Sequence, residues 1–235
     1  LNLRERRFSI DSIPLLAVGP DRETRSVVLF FHGLHSSSET HLKELRLLAK
    51  CGYLALGVDG FGHGKRALDT REYLGLDPSE YGENRQIRKL LMASVWEVPY
   101  LVDRLQQLGY TSFACAGISW GGYLAYGAMV VEPRLRRCVS LLGCPDWHIG
   151  LGDQPGDDDP FCWSPHLYKE RLLNRPVMAW NGEHDPHVPT KRVRQLAKTW
   201  KSPNFQYHEI PGVGHFPSSE QWDEVWKPCL QFLQS

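Results

Sequence analysis

The sequence predicts an α/β fold: a mostly parallel, doubly wound sheet of about eight strands with helices on both faces. Three observations carry that expectation. Apolar runs of strand length alternate with longer segments of helix-like apolar spacing, the order that βαβ units require. Some runs, Val-Val-Leu-Phe-Phe at 27–31 above all, are continuously apolar, as strands buried on both faces must be. Chemistry-bearing residues then follow run after run, where such a sheet gathers its functional groups.

Residues 4–10 and 13–18 read as two strands joined by a turn at Asp11-Ser12, an antiparallel edge. The run at 26–31 stops at His32-Gly33-Leu34. Ser37 or Ser38 stands where it would cap a helix over 39–50, whose Leu42, Leu45, Leu48 and Ala49 share one face. Residues 53–58 form the next short strand and lead into the glycine-rich Asp59-Gly60-Phe61-Gly62-His63-Gly64. A polar, mixed stretch over 65–83 precedes one long helix over 84–108, with a kink expected at Pro99. Further on, strands are expected at 138–142, 176–180 and 205–210, and helices at 190–200 and 218–233. Between them, 143–165 contains Asp153-Gln154-Pro155-Gly156-Asp157-Asp158-Asp159-Pro160, which is turn chemistry and reads as a short cap or lid insertion.

Composition narrows the function. The 235 residues with 42% hydrophobic content suit a single domain over 1–235. Lys+Arg and Asp+Glu both number 27, so the basic excess expected of a nucleic-acid or anionic-membrane partner is missing and a small-molecule substrate becomes the default. No window approaches the roughly 18 apolar residues of a membrane span, and the first ten residues have no apolar signal-like core. Six scattered cysteines without CxxC pairs favour a reducing, cytoplasmic setting, with a previously removed signal peptide as the alternative.

The most specific stretch is the run at 111–118, which ends in Gly117-Ile118-Ser119-Trp120-Gly121 and continues with helix-compatible spacing at Tyr123, Leu124, Ala125, Ala128 and Met129. A serine at such a strand-to-helix corner is a nucleophile elbow, and its glycines answer to crowding, because a Cβ two residues either side would clash. The rival role for Ser119 is an ordinary helix N-cap. Four other landmarks accompany it in order: Phe31-His32-Gly33, Asp59 to Gly64, Asn181-Gly182-Glu183-His184-Asp185, and Gly212-Val213-Gly214-His215-Phe216.

With these five landmarks the chain resembles the α/β-hydrolase superfamily from about Val27 to the C-terminus, and within it the compact dienelactone-hydrolase-like and prolyl-oligopeptidase-like esterases. One departure stands: dienelactone hydrolases proper carry a cysteine at the nucleophile position, where this chain has Ser119. The resemblance implies Ser119 as nucleophile, His215 as base and Asp185 as acid, with the backbone N–H groups of Leu34 and Trp120 as the oxyanion hole. It implies hydrolysis of small carboxylic esters, with thioesters or short peptides also open, through an acyl-enzyme and without metal or organic cofactor. Acyl transfer on the same residues, and a non-catalytic binding module, remain the alternatives.

Each role has competitors within the sequence. Glu183 competes with Asp185, and His184, His187 and His208 compete with His215. His32 and His63 flank the expected site, where histidines more often hold a loop by hydrogen bonds than react. His184-Asp185-Pro186-His187 lacks the helical His-x-x-x-His geometry of a metal site. His32, Trp147, Phe161 and Trp163 are the candidate pocket residues, the three aromatics equally open to being core.

Overall fold

The computed structural model describes residues 2–21, 23–67, 84–150 and 163–235. Its eight strands are β1 (Leu3–Ile10), β2 (Ile13–Pro20), β3 (Ser26–Phe31), β4 (Leu54–Val58), β5 (Ser112–Ile118), β6 (Leu135–Leu141), β7 (Val177–Gly182) and β8 (Phe205–Ile210). They form one sheet in the order β1-β2-β4-β3-β5-β6-β7-β8. β2 pairs antiparallel with both β1 and β4, and every other neighbouring pair is parallel. The hairpin expected at Asp11-Ser12 is therefore present, with Asp11 taking the positive φ of 50° that a short polar side chain tolerates in a tight turn.

Seven helices occur among the described residues: α1 (Leu42–Lys50), α2 (Asn84–Gln107), α3 (Trp120–Val131), α4 (Trp147–Gly150), α5 (Lys169–Leu172), α6 (Thr190–Trp200) and α7 (Ser219–Gln234). The two-residue period of a strand divides the core between them. On β3, Val27, Leu29 and Phe31 pack with buried residues of α2, α3 and α6, while Val28 and Phe30 pack with α1 and α7. Continuous apolar sequence is what a strand needs when both faces are covered, and each such large side chain contributes roughly 1.5–3 kcal/mol by leaving water.

Two details differ from the sequence expectation. The segment expected as a helix from residue 39 opens as a 3₁₀ turn, Ser38–His41, and neither Ser37 nor Ser38 caps it through its side chain. The reason is tertiary: Ser38 is buried and its N–H donates to Asp59 Oδ1 at 2.8 Å, so a carboxylate from the next loop supplies the acceptor. β6 begins three residues earlier than expected, because the exposed Arg136 and the half-buried Arg137, both charged, mask the strand pattern at its start. Of the expected cap over 143–165, positions 151–162 lie outside the described residues, and so do most of the polar positions 65–83.

The topology sets the site. β3, β4, β5, β7 and β8 run parallel, so their carboxyl ends share one edge of the sheet. His32 to Leu34, Asp59 to Gly64, Ser119, Glu183 to Asp185 and His215 are the residues that follow those ends.

Candidate active site

Ser119 stands between β5 and α3 with φ 55° and ψ −118°, a conformation non-glycine residues rarely adopt and that costs on the order of 1–3 kcal/mol. Its surroundings hold it there. The Ser119 N–H donates to Leu141 O at 2.8 Å, and its carbonyl accepts from the Tyr123 N–H at 3.0 Å. A Cβ on Gly117 would lie 2.1 Å from Gly121 O, and one on Gly121 only 2.0 Å from Phe31 O. The two glycines let the strand end, the helix start and β3 converge, which turns the serine side chain outward.

Ser119 Oγ lies 2.9 Å from His215 Nε2, and His215 Nδ1 lies 2.7 Å from Asp185 Oδ2. The other carboxylate oxygen of Asp185 accepts from the N–H groups of His187 and Val188 at 2.8 and 3.0 Å. Burial pushes the Asp185 carboxyl toward its neutral form, yet the hydrogen bond from His215 and the two backbone N–H groups outweigh it and hold the pKa below the ordinary value. An ionised, immobile carboxylate behind an imidazole fixes its tautomer. The end of β7 and the loop bearing His215 can meet because Gly182 has no side chain: a Cβ there would lie 2.0 Å from Gly214 O.

The competing residues go elsewhere. Glu183 accepts from the Gly212 N–H at 2.8 Å and lies beside the exposed His184. His208 stacks on Trp180 with ring centroids 4.5 Å apart. His187 meets Asp185 through its backbone N–H, while its ring packs edge-on against His215 at 5.2 Å and the residue lines the cavity.

On the opposite side of Ser119, Gly33 lies so close that a Cβ there would be 3.9 Å from Ser119 Cβ. Leu34 follows it at the cavity wall, and Trp120 opens α3, where first-turn N–H groups have no acceptor within the helix. Beneath this loop His32 is fully buried, its Nδ1 2.7 Å from Gly33 O and its Nε2 accepting from the Gly60 N–H at 3.0 Å. Burial, helped by the neighbouring His63, lowers its pKa to about 4, so at neutral pH it is an uncharged ring with the proton on Nδ1. Trp120 stacks on His32 at 5.6 Å and meets His63 at 4.5 Å. Asp59 ties the same layer together, accepting from the N–H groups of Ser38 and Lys65 at 2.8 and 2.9 Å.

A cavity of about 880 Å³ opens above Ser119. Of the pocket residues expected from sequence, the described His32, Trp147 and Trp163 are not among those that line it. His32 is buried beneath the loop, and Trp147 is fully buried in the core, where Trp163 packs edge-on against it at 5.1 Å; Phe161 lies outside the described residues. Trp147 belongs to the apolar cluster that includes α2 and α3, and the partly buried Trp163 packs against that cluster. The wall instead carries Ile87 and Leu91 of α2, Tyr123 of α3, Val188, Phe216 and Trp222. Three of these had a sequence signal: Phe216 adjoins His215, and Ile87 and Leu91 share a helix face at i, i+4 spacing.

One group among the described residues has metal-like composition, Asp146, His148 and His166, whose ligand atoms lie within 4.8 Å of one another. Its carboxylate is already engaged. Asp146 pairs with Arg192 at 2.7 Å and accepts from the N–H groups of His148 and Ile149, while His166 Nδ1 lies 2.8 Å from Ser164 Oγ. A guanidinium neutralises the carboxylate that a cation would need, and the arrangement caps the turn at α4.

Comparison with known proteins bears on the family and the fold. The model of the dienelactone hydrolase family matches residues 13–223. YitV of Bacillus subtilis (strain 168), a candidate esterase by name, is 26% identical over 243 aligned residues that cover 92% of this chain and 90% of its own. Esterase YjfP of Escherichia coli (strain K12) is 25% identical over 235, covering 90% of this chain and 92% of its own. Among solved structures, TT1662 from Thermus thermophilus superposes with a TM-score of 0.79 at 20% identity, over 100% of this chain and 98% of that one.

Proposed function

The chain belongs to the dienelactone hydrolase family, and we propose that it is a serine hydrolase of small carboxylic esters, acting through Ser119, His215 and Asp185 as one catalytic unit. The esterase names of YitV and YjfP support the reaction class. The observation that carries the assignment of residues is the unbroken series of contacts, 2.9 Å from Ser119 to His215 and 2.7 Å from His215 to Asp185. A serine hydroxyl is a weaker nucleophile than the cysteine of dienelactone hydrolases proper, and it needs that adjacent base.

In this mechanism Ser119 Oγ attacks the ester carbonyl as its proton passes to His215 Nε2. Asp185, already ionised, stabilises the imidazolium and keeps Nδ1 protonated. The carbonyl oxygen, now anionic, receives hydrogen bonds from the N–H groups of Leu34 and Trp120, each such donor being worth about 2.7–4 kcal/mol in the transition state. Nε2 returns the proton to the departing alkoxide, and water repeats the cycle to release the acid. Five described cysteines, Cys51, Cys115, Cys138, Cys144 and Cys229, are free thiols, which supports a reducing compartment for the protein. No helix of the described residues is long and apolar enough to cross a membrane.

The test is Ser119→Ala. A fluorophosphonate probe should label the native protein and not the variant, and turnover of a short nitrophenyl ester should fall by about 10⁶-fold. Hydrolysis that survives the substitution would end the proposal.

A further inference from the structure

Phe216 is 83% exposed, although it directly follows the imidazole that moves the proton. Its ring is nevertheless oriented: its centroid lies 5.1 Å from that of His215 at an interplanar angle of 85°, and 6.4 Å from that of His187 at 69°. A large apolar face in water beside a reaction centre is surface that a ligand can cover with gain. We propose that Phe216 is the alcohol-side specificity residue of the esterase reaction above, forming a platform for an aromatic or bulky apolar leaving group. The proposal rests on that reading of the function.

Proton bookkeeping assigns the side. In acylation the bond from the carbonyl carbon to Ser119 Oγ forms, the bond to the alkoxy oxygen breaks, and the proton that Oγ gave to His215 Nε2 ends on that alkoxy oxygen. The alkoxy oxygen must therefore come within hydrogen-bond reach of Nε2, and the carbons attached to it continue along the His215 flank of the cavity. That flank carries Phe216 and His187, whose rings lie 5.1 and 5.2 Å from the His215 ring. The acyl carbons leave the carbonyl in the other direction, away from that flank. Phe216 thus meets the group that departs.

Two isomeric esters separate the flanks. Benzyl acetate carries its ring on the alcohol, methyl phenylacetate carries the same ring on the acyl group, and ethyl acetate has none. Phe216→Ala should lower kcat/KM for benzyl acetate about tenfold and leave the other two within about twofold. Phe216→Tyr should restore the benzyl preference. Benzyl and ethyl acetate pass through the same acetyl-enzyme, so the deacylation rate common to both should be unchanged in the alanine variant. An equal loss on benzyl and ethyl acetate would make Phe216 a support for His215, and a loss confined to methyl phenylacetate would put it on the acyl side; either result overturns the proposal. Ser119→Ala run on ethyl acetate keeps the two readings apart. If it retains turnover, the esterase assignment and the alcohol-side role fall together. If it is dead while Phe216→Ala shows no preference, only the role of Phe216 falls.

Discussion

Two histidines flank Ser119, one on the loop after β3 and one on the loop after β8, and in both rings each nitrogen has a partner. The partners decide what each ring can do. His32 is held by backbone, Gly33 O on one side and the Gly60 N–H on the other, in a fully buried layer beneath Trp120. His215 is held by side chains, Ser119 and Asp185, and is partly open to the cavity. A ring fixed by main chain and pushed toward neutrality is a brace: it sets the position of the loop that presents Leu34. A ring between a hydroxyl and an ionised carboxylate suits the proposed relay, because a proton taken from one side would be balanced by charge on the other. The same residue type serves both because burial and partners, rather than the imidazole itself, set its pKa.

Asp185→Asn gives the largest effect that separates relay from brace. The amide keeps the shape and removes the charge, so turnover should drop by about 10⁴-fold while thermal stability changes far less. Activity within tenfold of the native protein would mean that the carboxylate is not part of the relay. Trp147→Ala is the converse experiment, since this ring is wholly buried and away from the cavity. It should cost about 3–5 kcal/mol in denaturant unfolding and leave kcat/KM of the folded protein nearly unchanged. A selective loss on large acyl groups would return Trp147 to the pocket.

The brace makes its own prediction in pH. A histidine with an ordinary pKa near 6.5 in the unfolded chain and about 4 in the folded one binds more protons when unfolded throughout that interval. Its contribution to stability is complete above the unfolded value, declines as pH falls through the interval, and levels off below the folded value. By pH 5 the loss amounts to about 2 kcal/mol. Urea midpoints at pH 7 and pH 5 should therefore diverge more in the native protein than in His32→Gln, where that titration is gone. Equal pH slopes in the two proteins would remove the brace.

The sequence made the frame legible because each landmark is local. Gly117 and Gly121 announce the elbow through a steric demand that operates within five residues, and the apolar runs announce strands through their own composition. It also brought both histidines to the site, since each follows a strand end. It did not choose among the aromatic residues. Phe216 belongs to a landmark and Trp147 to the expected insertion, yet the first stands in solvent and the second is buried against Trp163. That difference depends on how α2, α4 and the sheet pack together, and no spacing within the chain encodes it. The missed cap at Ser37 and Ser38 has the same origin, because its replacement, Asp59, is 21 residues from Ser38.

The smallest effect concerns how the relay loop is held at its far end. Beneath His32 the anchoring is burial, whereas beyond His215 it is a capping box: Ser218 Oγ accepts from the Gln221 N–H at 3.3 Å, and Gln221 Oε1 accepts from the Ser218 N–H at 2.9 Å. These bonds are exposed and they start α7, whose Val225, Trp226, Cys229 and Phe232 are buried under the sheet. Ser218→Ala should accordingly lower stability by about 1 kcal/mol, the usual worth of such a cap. The imidazole position is fixed by Asp185 and Ser119 rather than by the cap, so kcat/KM on a small ester should stay within about twofold. A fall in activity much larger than the fall in stability would show that the start of α7 positions His215, and the relay would then depend on a surface anchor that the brace does without.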